Sequence, residues 1–208
     1  MDRRSWLLEF MTLGATLIGL AGCVSTQPSR FYVLTDLYSV ESPPNAATAG
    51  QGPSVGVGPV SLPKYLDRPQ IASRASRYQL TFDEFERWAE ALDTNFSRAF
   101  GEHLARLIPT DRLAVFPWPR ETPIDYQVLV EVVHFFGQRG GTASLIAHWS
   151  IVREESEEAL VSRTSHLSAP VDGPQYEALV AAMSQTVTQL SGEIASAIRA
   201  LAAHASAR

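Results

Sequence analysis

The most reactive side chain in this sequence belongs to its only cysteine, Cys23. It directly follows Leu20-Ala21-Gly22, and small residues before a cysteine allow a lipoprotein signal peptidase to approach while the thiol accepts a diacylglycerol. A lone cysteine has no partner within the chain, so an internal disulfide is excluded. The sequence therefore predicts a mature chain that begins with an acylated Cys23.

The residues before Cys23 have the organisation of a signal peptide. Arg3 and Arg4 form a basic start, and residues 10–21 are almost wholly apolar. That stretch is too short to span a bilayer and suits the hydrophobic region of a signal peptide, although an uncleaved anchor stays an alternative. We expect residues 1–22 to be removed and Cys23 to carry a diacylglycerol and an N-acyl chain. Val24, in place of an aspartate retention signal, favours the outer membrane.

The remaining chemistry-bearing residues form no familiar catalytic or metal-binding pattern. No G-x-S-x-G elbow is present, and no histidine stands at a metal-ligand spacing from another ligand. His134 and His148 fall on facing strands of a predicted hairpin, where ordinary cross-strand packing is favoured over a metal site. The acidic pairs Asp83-Glu84 and Glu154-Glu155 fall at a predicted helix start and turn. The sequence predicts no enzyme activity, no metal and no cofactor beyond the lipid.

Composition limits the class of protein further. The chain has 208 residues, with 17 basic and 22 acidic side chains and a net charge of −5. This length suits one domain, and the absence of a basic face argues against nucleic-acid binding, which requires neutralised phosphates. Together with the signal peptide, the length and charge predict an exported, acidic protein with a single domain.

The hydrophobic pattern predicts the elements that position these residues. The expected fold class is α+β, with an antiparallel or mixed sheet of about five strands packed by two long helices. Thr81 and Glu84 form a capping box that predicts the first helix, which Pro109 ends, and Pro174 opens the second. From Asp125 an antiparallel meander is expected. The predicted organisation is a signal peptide at 1–22, a lipidated tether at 23–30, one domain at 31–202 and a tail at 203–208.

Five aromatic or charged positions stand out within that framework. Trp88 and Trp149 lie in strongly patterned elements and are expected in the core. Trp118 lies between prolines, so it is either an exposed contact or a cap folded onto the sheet. Asp67 and Arg68 form either an internal ion pair or a docking point. The glycines of residues 55–60 do not fit a phosphate loop, because Pro59 follows where a helix should begin.

Three segments resemble the PqiC-type ABC-transport auxiliary lipoproteins. They follow the lipobox cysteine in the same order and spacing, although Ala72 and Ala91 depart from the residues common in that family. The segments are Phe31-Tyr32-Val33-Leu34, Tyr65-Leu66-Asp67-Arg68-Pro69-Gln70-Ile71 and Glu86-Arg87-Trp88-Ala89-Glu90-Ala91-Leu92.

The resemblance implies a non-catalytic accessory subunit of an envelope lipid-transport system. Its implied partners are a periplasmic MCE-domain protein and an inner-membrane permease, and self-association is a further candidate interaction. The implied location is the periplasmic face of the outer membrane, held by the lipid. Asp67, Arg68 and Trp118 are the expected partner-binding positions. A general envelope-assembly or structural lipoprotein is the alternative, and a lipoprotein hydrolase is a weaker third.

Overall fold

The computed structural model describes residues 27–35, 52–153 and 158–206. Cys23, the expected signal peptide and the first part of the tether lie outside the described residues. So do residues 36–51 and the predicted turn at Glu154-Glu155.

The described residues form one sheet of eight strands and two long helices. This confirms the α+β class, with more strands than the roughly five expected. The strands are β1 Arg30–Tyr32, β2 Val55–Ser61, β3 Gln70–Ser76, β4 Gln79–Trp88, β5 Leu113–Val115, β6 Tyr126–Gly137, β7 Thr142–Arg153 and β8 Glu158–Pro170. The helices are α1 Leu92–Leu107 and α2 Tyr176–Ser206, and a short 3-10 turn covers Lys64–Leu66.

Strand β6 is the centre of a mixed sheet. On one side β6, β7 and β8 form the expected antiparallel meander, with Val128 opposite Ile151. On the other side β6 pairs in parallel with β2, which in turn pairs in parallel with β5. β3 and β4 form an antiparallel hairpin that meets β6 at Ser73 and Gly137. β1 closes this side by pairing in parallel with β4.

The expected start of the first helix is wrong. Residues 81–88 are part of strand β4, and α1 begins only at Leu92. The hydroxyl of Thr81 donates to the carbonyl oxygen of Ser73 on β3 (3.2 Å), and Glu84 accepts a bond from the side chain of Gln70 (3.0 Å). The two residues expected to cap a helix therefore bridge strands, because pairing with β3 outweighs the local helix signal.

Both helices pack on the sheet and on each other. α2 contacts β6, β7, β8 and α1, as expected of a helix that covers an apolar sheet, and it continues past Ala202 to Ser206. Trp88 and Trp149 are buried as predicted. Neither described helix has the length and apolarity to cross a bilayer. The largest fully buried side chains are Trp149, Phe96, Phe100, Phe135, Leu34, Ile71, Leu104, Leu145, Ile151, Leu179, Met183 and Leu190.

Candidate functional site

The proline-rich connector after β5 folds back onto strand β2. The ring of Trp118 lies so close to Gly56 that a Cβ there would be 2.8 Å from Cη2 of the indole. Trp118 is half-buried, so it caps the sheet, which was one of its two expected roles. Phe116 packs edge-on against Trp118 with ring centroids 5.5 Å apart and is 51% exposed. Sequence reasoning missed Phe116, the more exposed ring of this pair.

The glycines of β2 make room for these aromatic side chains. Gly58 has φ +113°, a left-handed conformation that disfavours other residues, and a Cβ there would lie 2.9 Å from Cβ of Phe116. The alternation of valine and glycine in Val55-Gly56-Val57-Gly58 therefore gives β2 one apolar face and one bare face. The alternating glycines were the signal in the sequence that aromatic side chains pack against β2. The segment is a strand rather than a phosphate loop.

An open groove of ≈ 600 Å³ lies between α1 and the β5 region. Its volume falls within the range of ligand-binding clefts. Gly101 allows α1 to approach β5 closely, because a Cβ there would lie 2.7 Å from Cγ2 of Val115. Most of the lining is apolar or small, and Phe116 stands at its edge. The apolar and small members are Pro59, Val60, Gly101, Ala105, Leu113, Val115, Phe116 and Pro117.

The one basic side chain among the described residues that line this groove, Arg98, is already compensated. Arg98 donates to Oε1 of Glu90 (3.1 Å) and to Oε1 of Glu102 (3.3 Å). Partial burial lowers the pKa of Arg98, but its hydrogen bonds to the two carboxylates outweigh that effect and hold the pKa above its ordinary value. The Oδ1 atom of the fully buried Asn95 accepts further bonds from Arg98 and from the backbone of Leu34. The groove therefore offers an apolar floor beside a neutralised ion-pair network.

The predicted Asp67 position adjoins this groove. Asp67 is exposed and lines a smaller pocket of ≈ 270 Å³ that shares Val60 and Asp93 with the groove. Arg68 does not pair with Asp67 in the described part of the chain. Instead its guanidinium lies 4.1 Å from the ring centroid of Phe82 on β4. We call the continuous surface of Asp67, Val60, Asp93, Gly101 and Phe116 the groove surface.

A second cluster fixes the point where the chain enters the sheet. The carboxylate of Glu86 on β4 is 2% exposed and receives hydrogen bonds from Arg30 and from the hydroxyl of Tyr32 (2.7 Å). Burial, followed by the bond to Glu86, raises the pKa of Tyr32 to about 12. The buried carboxylate thus holds β1, the first strand after the expected tether.

His134 and His148, which were predicted to lie on facing strands, have separate partners. His134 on β6 lies opposite Ile146, and its ring centroid is 3.8 Å from that of Phe136. His148 on β7 lies opposite Glu131 and is bonded to Thr164 (2.8 Å). Across residues 27–35, 52–153 and 158–206, no group of three or more potential ligands is placed to hold a metal ion.

The fold and the groove surface define an α+β protein with an open apolar groove beside its sheet. The sequence model of the ABC-type transport auxiliary lipoprotein component family matches residues 32–195, and the chain belongs to this family. The resemblance noted from the sequence is thereby confirmed. The protein is accordingly an auxiliary lipoprotein component of ABC-type transport, a family associated with the cell envelope and not a known enzyme family.

Solved structures share the fold. A crystal structure of a protein described as uncharacterized has a TM-score of 0.66 and 20% sequence identity, covering 83% of this chain and 99% of that one. A Xanthomonas campestris protein of family DUF330 has a TM-score of 0.61 and 21% identity, covering 80% of this chain and 93% of that one. At these identities the likeness supports the fold alone. No curated protein matches the sequence.

Proposed function

We propose that this protein is a non-catalytic accessory lipoprotein of an envelope lipid-transport system of the MCE type. In this role it docks the transport machinery at the periplasmic face of the outer membrane. Its partners are a periplasmic MCE-domain protein and, through it, an inner-membrane permease. The lipobox and the family match support the class, and the groove surface is the observation that carries the docking role.

The groove surface suits a protein segment better than a small polar substrate. Its floor is apolar, Phe116 offers an exposed aromatic ring, and Arg98 is already paired with Glu90 and Glu102. Aromatic side chains are enriched in protein interfaces and among their binding hot spots. Asp67 forms no ion pair with another described residue, so a basic side chain of the partner could pair with it at this end and add specificity.

The anchor is the second part of the proposal. A diacylglycerol and an N-acyl chain on Cys23 bury enough methylene groups for stable attachment, because two or more chains anchor where one does not. Strand β1 begins at Arg30, so only six residues separate Cys23 from it. The mass of the mature protein tests this part directly: we expect a chain that starts at Cys23 and carries acyl groups.

Co-purification from solubilised membranes tests the docking role. The wild-type lipoprotein is expected to retain the MCE-domain protein, and Phe116→Asp or Asp67→Lys is expected to lose most of it. Phe116→Asp would bury an unpaired charge in an apolar contact. That costs well over the roughly 1.4 kcal/mol of binding free energy that corresponds to a tenfold loss of affinity. Arg163→Glu, an exposed charge change on β8, is the matched control and should leave the complex intact.

The same experiment separates the alternatives. If no MCE-domain protein co-purifies although the acylated protein is folded in the envelope, the transport role is wrong and a structural envelope lipoprotein is favoured. If Arg163→Glu disrupts the complex as strongly as Phe116→Asp, the groove surface is not the docking site. Cys23→Ala should abolish membrane attachment and leave the domain folded.

A further inference from the structure

Two hairpins lie side by side at one end of the sheet. β3 runs parallel to β6, with Ser73 opposite Gly137, so the β3–β4 turn and the β6–β7 turn point the same way. We call this the hairpin end, formed by residues 74–79 and 138–141. Every residue from 74 to 79 is exposed, and Tyr78, in the β3–β4 turn, is 89% exposed. An aromatic side chain with so large an exposed fraction is a candidate for a contact with another molecule.

The hairpin end is basic in a protein of net charge −5. It carries Arg74, Arg77 and Arg139, and among the described residues no carboxylate forms an ion pair with Arg74 or Arg77. The guanidinium of Arg77 lies 5.6 Å from the ring centroid of Tyr78. The acidic residues Asp172 and Glu177 lie two and three residues from Pro174, whose carbonyl oxygen accepts a hydrogen bond from Nη1 of Arg139. The β3–β4 turn is therefore the cationic part.

The direction of β1 leads the anchor toward this turn. β1 runs parallel to β4 with Arg30 opposite Glu86, so the chain before Arg30 leaves toward the start of β4, where Tyr78 lies. Cys23 precedes Arg30 by seven residues, and Gln79 precedes Glu86 by seven. At about 3.3 Å per extended residue, seven residues can span at most about 23 Å. A lipid on Cys23 can thus reach the bilayer at the level of the β3–β4 turn.

We propose that the hairpin end contacts the anionic headgroups of the bilayer in which the acyl chains of Cys23 are embedded. Tyrosine and arginine are the side chains that favour a membrane interface, the first through its amphipathic ring and the second through anionic lipids. The contact sets the orientation of the domain relative to the membrane. The proposal rests on the anchor that belongs to the proposed function.

A fluorescent probe on the hairpin tests this contact. Because the only native thiol is acylated in the mature protein, Ser76→Cys places a single reactive thiol beside the turn, and Ser162→Cys places one on β8 as the matched control. Both serines are exposed strand residues. Each full acylated protein is labelled with an environment-sensitive dye and reconstituted into vesicles of phosphatidylethanolamine with phosphatidylglycerol, or of phosphatidylcholine alone.

The label at residue 76 should brighten on phosphatidylglycerol vesicles and be quenched by lipids that carry a quencher at headgroup depth, and the label at residue 162 should not. Arg74→Ala and Arg77→Ala should each lower the bound-to-free ratio of the hairpin about fivefold, and added salt should lower it further. Arg120→Ala, another exposed arginine, should have no effect.

Two outcomes overturn different claims. A mature protein whose mass shows no acyl group overturns the anchor and this proposal together. An acylated protein whose residue 76 label behaves like the residue 162 label overturns the hairpin contact alone. Co-purification with an MCE-domain protein is unaffected by that second result, and the exposed tyrosine would then be assigned to a protein contact.

Discussion

The hydroxyl of Tyr32 donates a hydrogen bond to Oε2 of Glu86, 54 residues further along the chain (2.7 Å). It joins a three-residue strand to a carboxylate that is almost fully buried. Arg30 bonds to the other oxygen of the same carboxylate. A short parallel edge strand has few backbone bonds of its own, so these side chains hold it in register.

Tyr32→Phe should lower the free energy of unfolding by about 2 kcal/mol, because it leaves a buried carboxylate with one bond fewer. The pKa of Tyr32 is raised from 10.0 to about 12 in the folded state. Stability from this raised pKa is complete below pH 10 and is lost as pH rises through about 12. The gap between wild type and Tyr32→Phe, measured by urea denaturation, should close over that interval. Tyr78→Phe, an exposed hydroxyl, should show no gap.

Gly56→Ala should destabilise the protein by about 1–3 kcal/mol, because the new Cβ would lie 2.8 Å from the Trp118 ring and displace it. Urea denaturation and the fluorescence of Trp118 would measure the loss and the displacement. Gly192→Ala is the control: nothing lies within 4 Å of a Cβ there, and alanine in helix α2 should add about 0.5–1 kcal/mol. A Gly56→Ala protein as stable as wild type would mean that Trp118 does not cap β2.

Ser165→Ala should cost about 1–3 kcal/mol, because it leaves the buried indole N–H of Trp149 without its acceptor. In the structure Nε1 of Trp149 donates to Oγ of Ser165 (2.8 Å), and that hydroxyl donates to Glu193 on α2. The hydroxyl of Ser165 thus links strands β7 and β8 to helix α2. Ser162→Ala, three residues earlier and exposed, should change the urea midpoint little. Equal effects of the two substitutions would contradict this role.

His134 should make the fold sensitive to acid. Burial, followed by the nearby charge of Arg74, holds the pKa of His134 below its ordinary 6.5. The stability it contributes is present above pH 6.5 and is lost as pH falls, because the unfolded chain takes up the proton more readily. Wild type should therefore lose stability relative to His134→Phe on acidification. Arg74→Gln should reduce that loss without removing it, since burial is the larger cause; an unchanged loss would contradict the contribution of Arg74.

Local patterns predicted the elements whose neighbours are close along the chain. The alternation after Asp125 gave the meander, and the apolar stripe after Pro174 gave α2, because each pairs or packs with residues nearby. The strand at residues 81–88 was missed because its partner β3 converts Thr81 from a helix cap to a cross-strand donor. The residues around Thr81 alone do not indicate that this segment pairs with β3.

The groove surface was predictable only in pieces. Asp67 was named from the sequence as a candidate contact, and its partner-binding role stays a prediction. Phe116 was overlooked because its place in the groove depends on Gly58, which lies far from it in sequence. The Arg30–Glu86 contact joins residues 56 apart in a parallel pair, for which hydrophobic periodicity has no signature. Such contacts emerge only once the topology is known.

Strand β8 pairs only with β7 within the described residues, so thirteen residues of backbone stand at a sheet edge. A long flat edge of this kind invites strands from other molecules and leads to aggregation. Here the edge is rich in hydroxyl, imidazole and charged groups and ends in a proline that cannot donate: Ser162, Arg163, Thr164, His166, Ser168 and Pro170. The polar composition of β8 therefore disfavours edge-to-edge pairing with strands of other molecules.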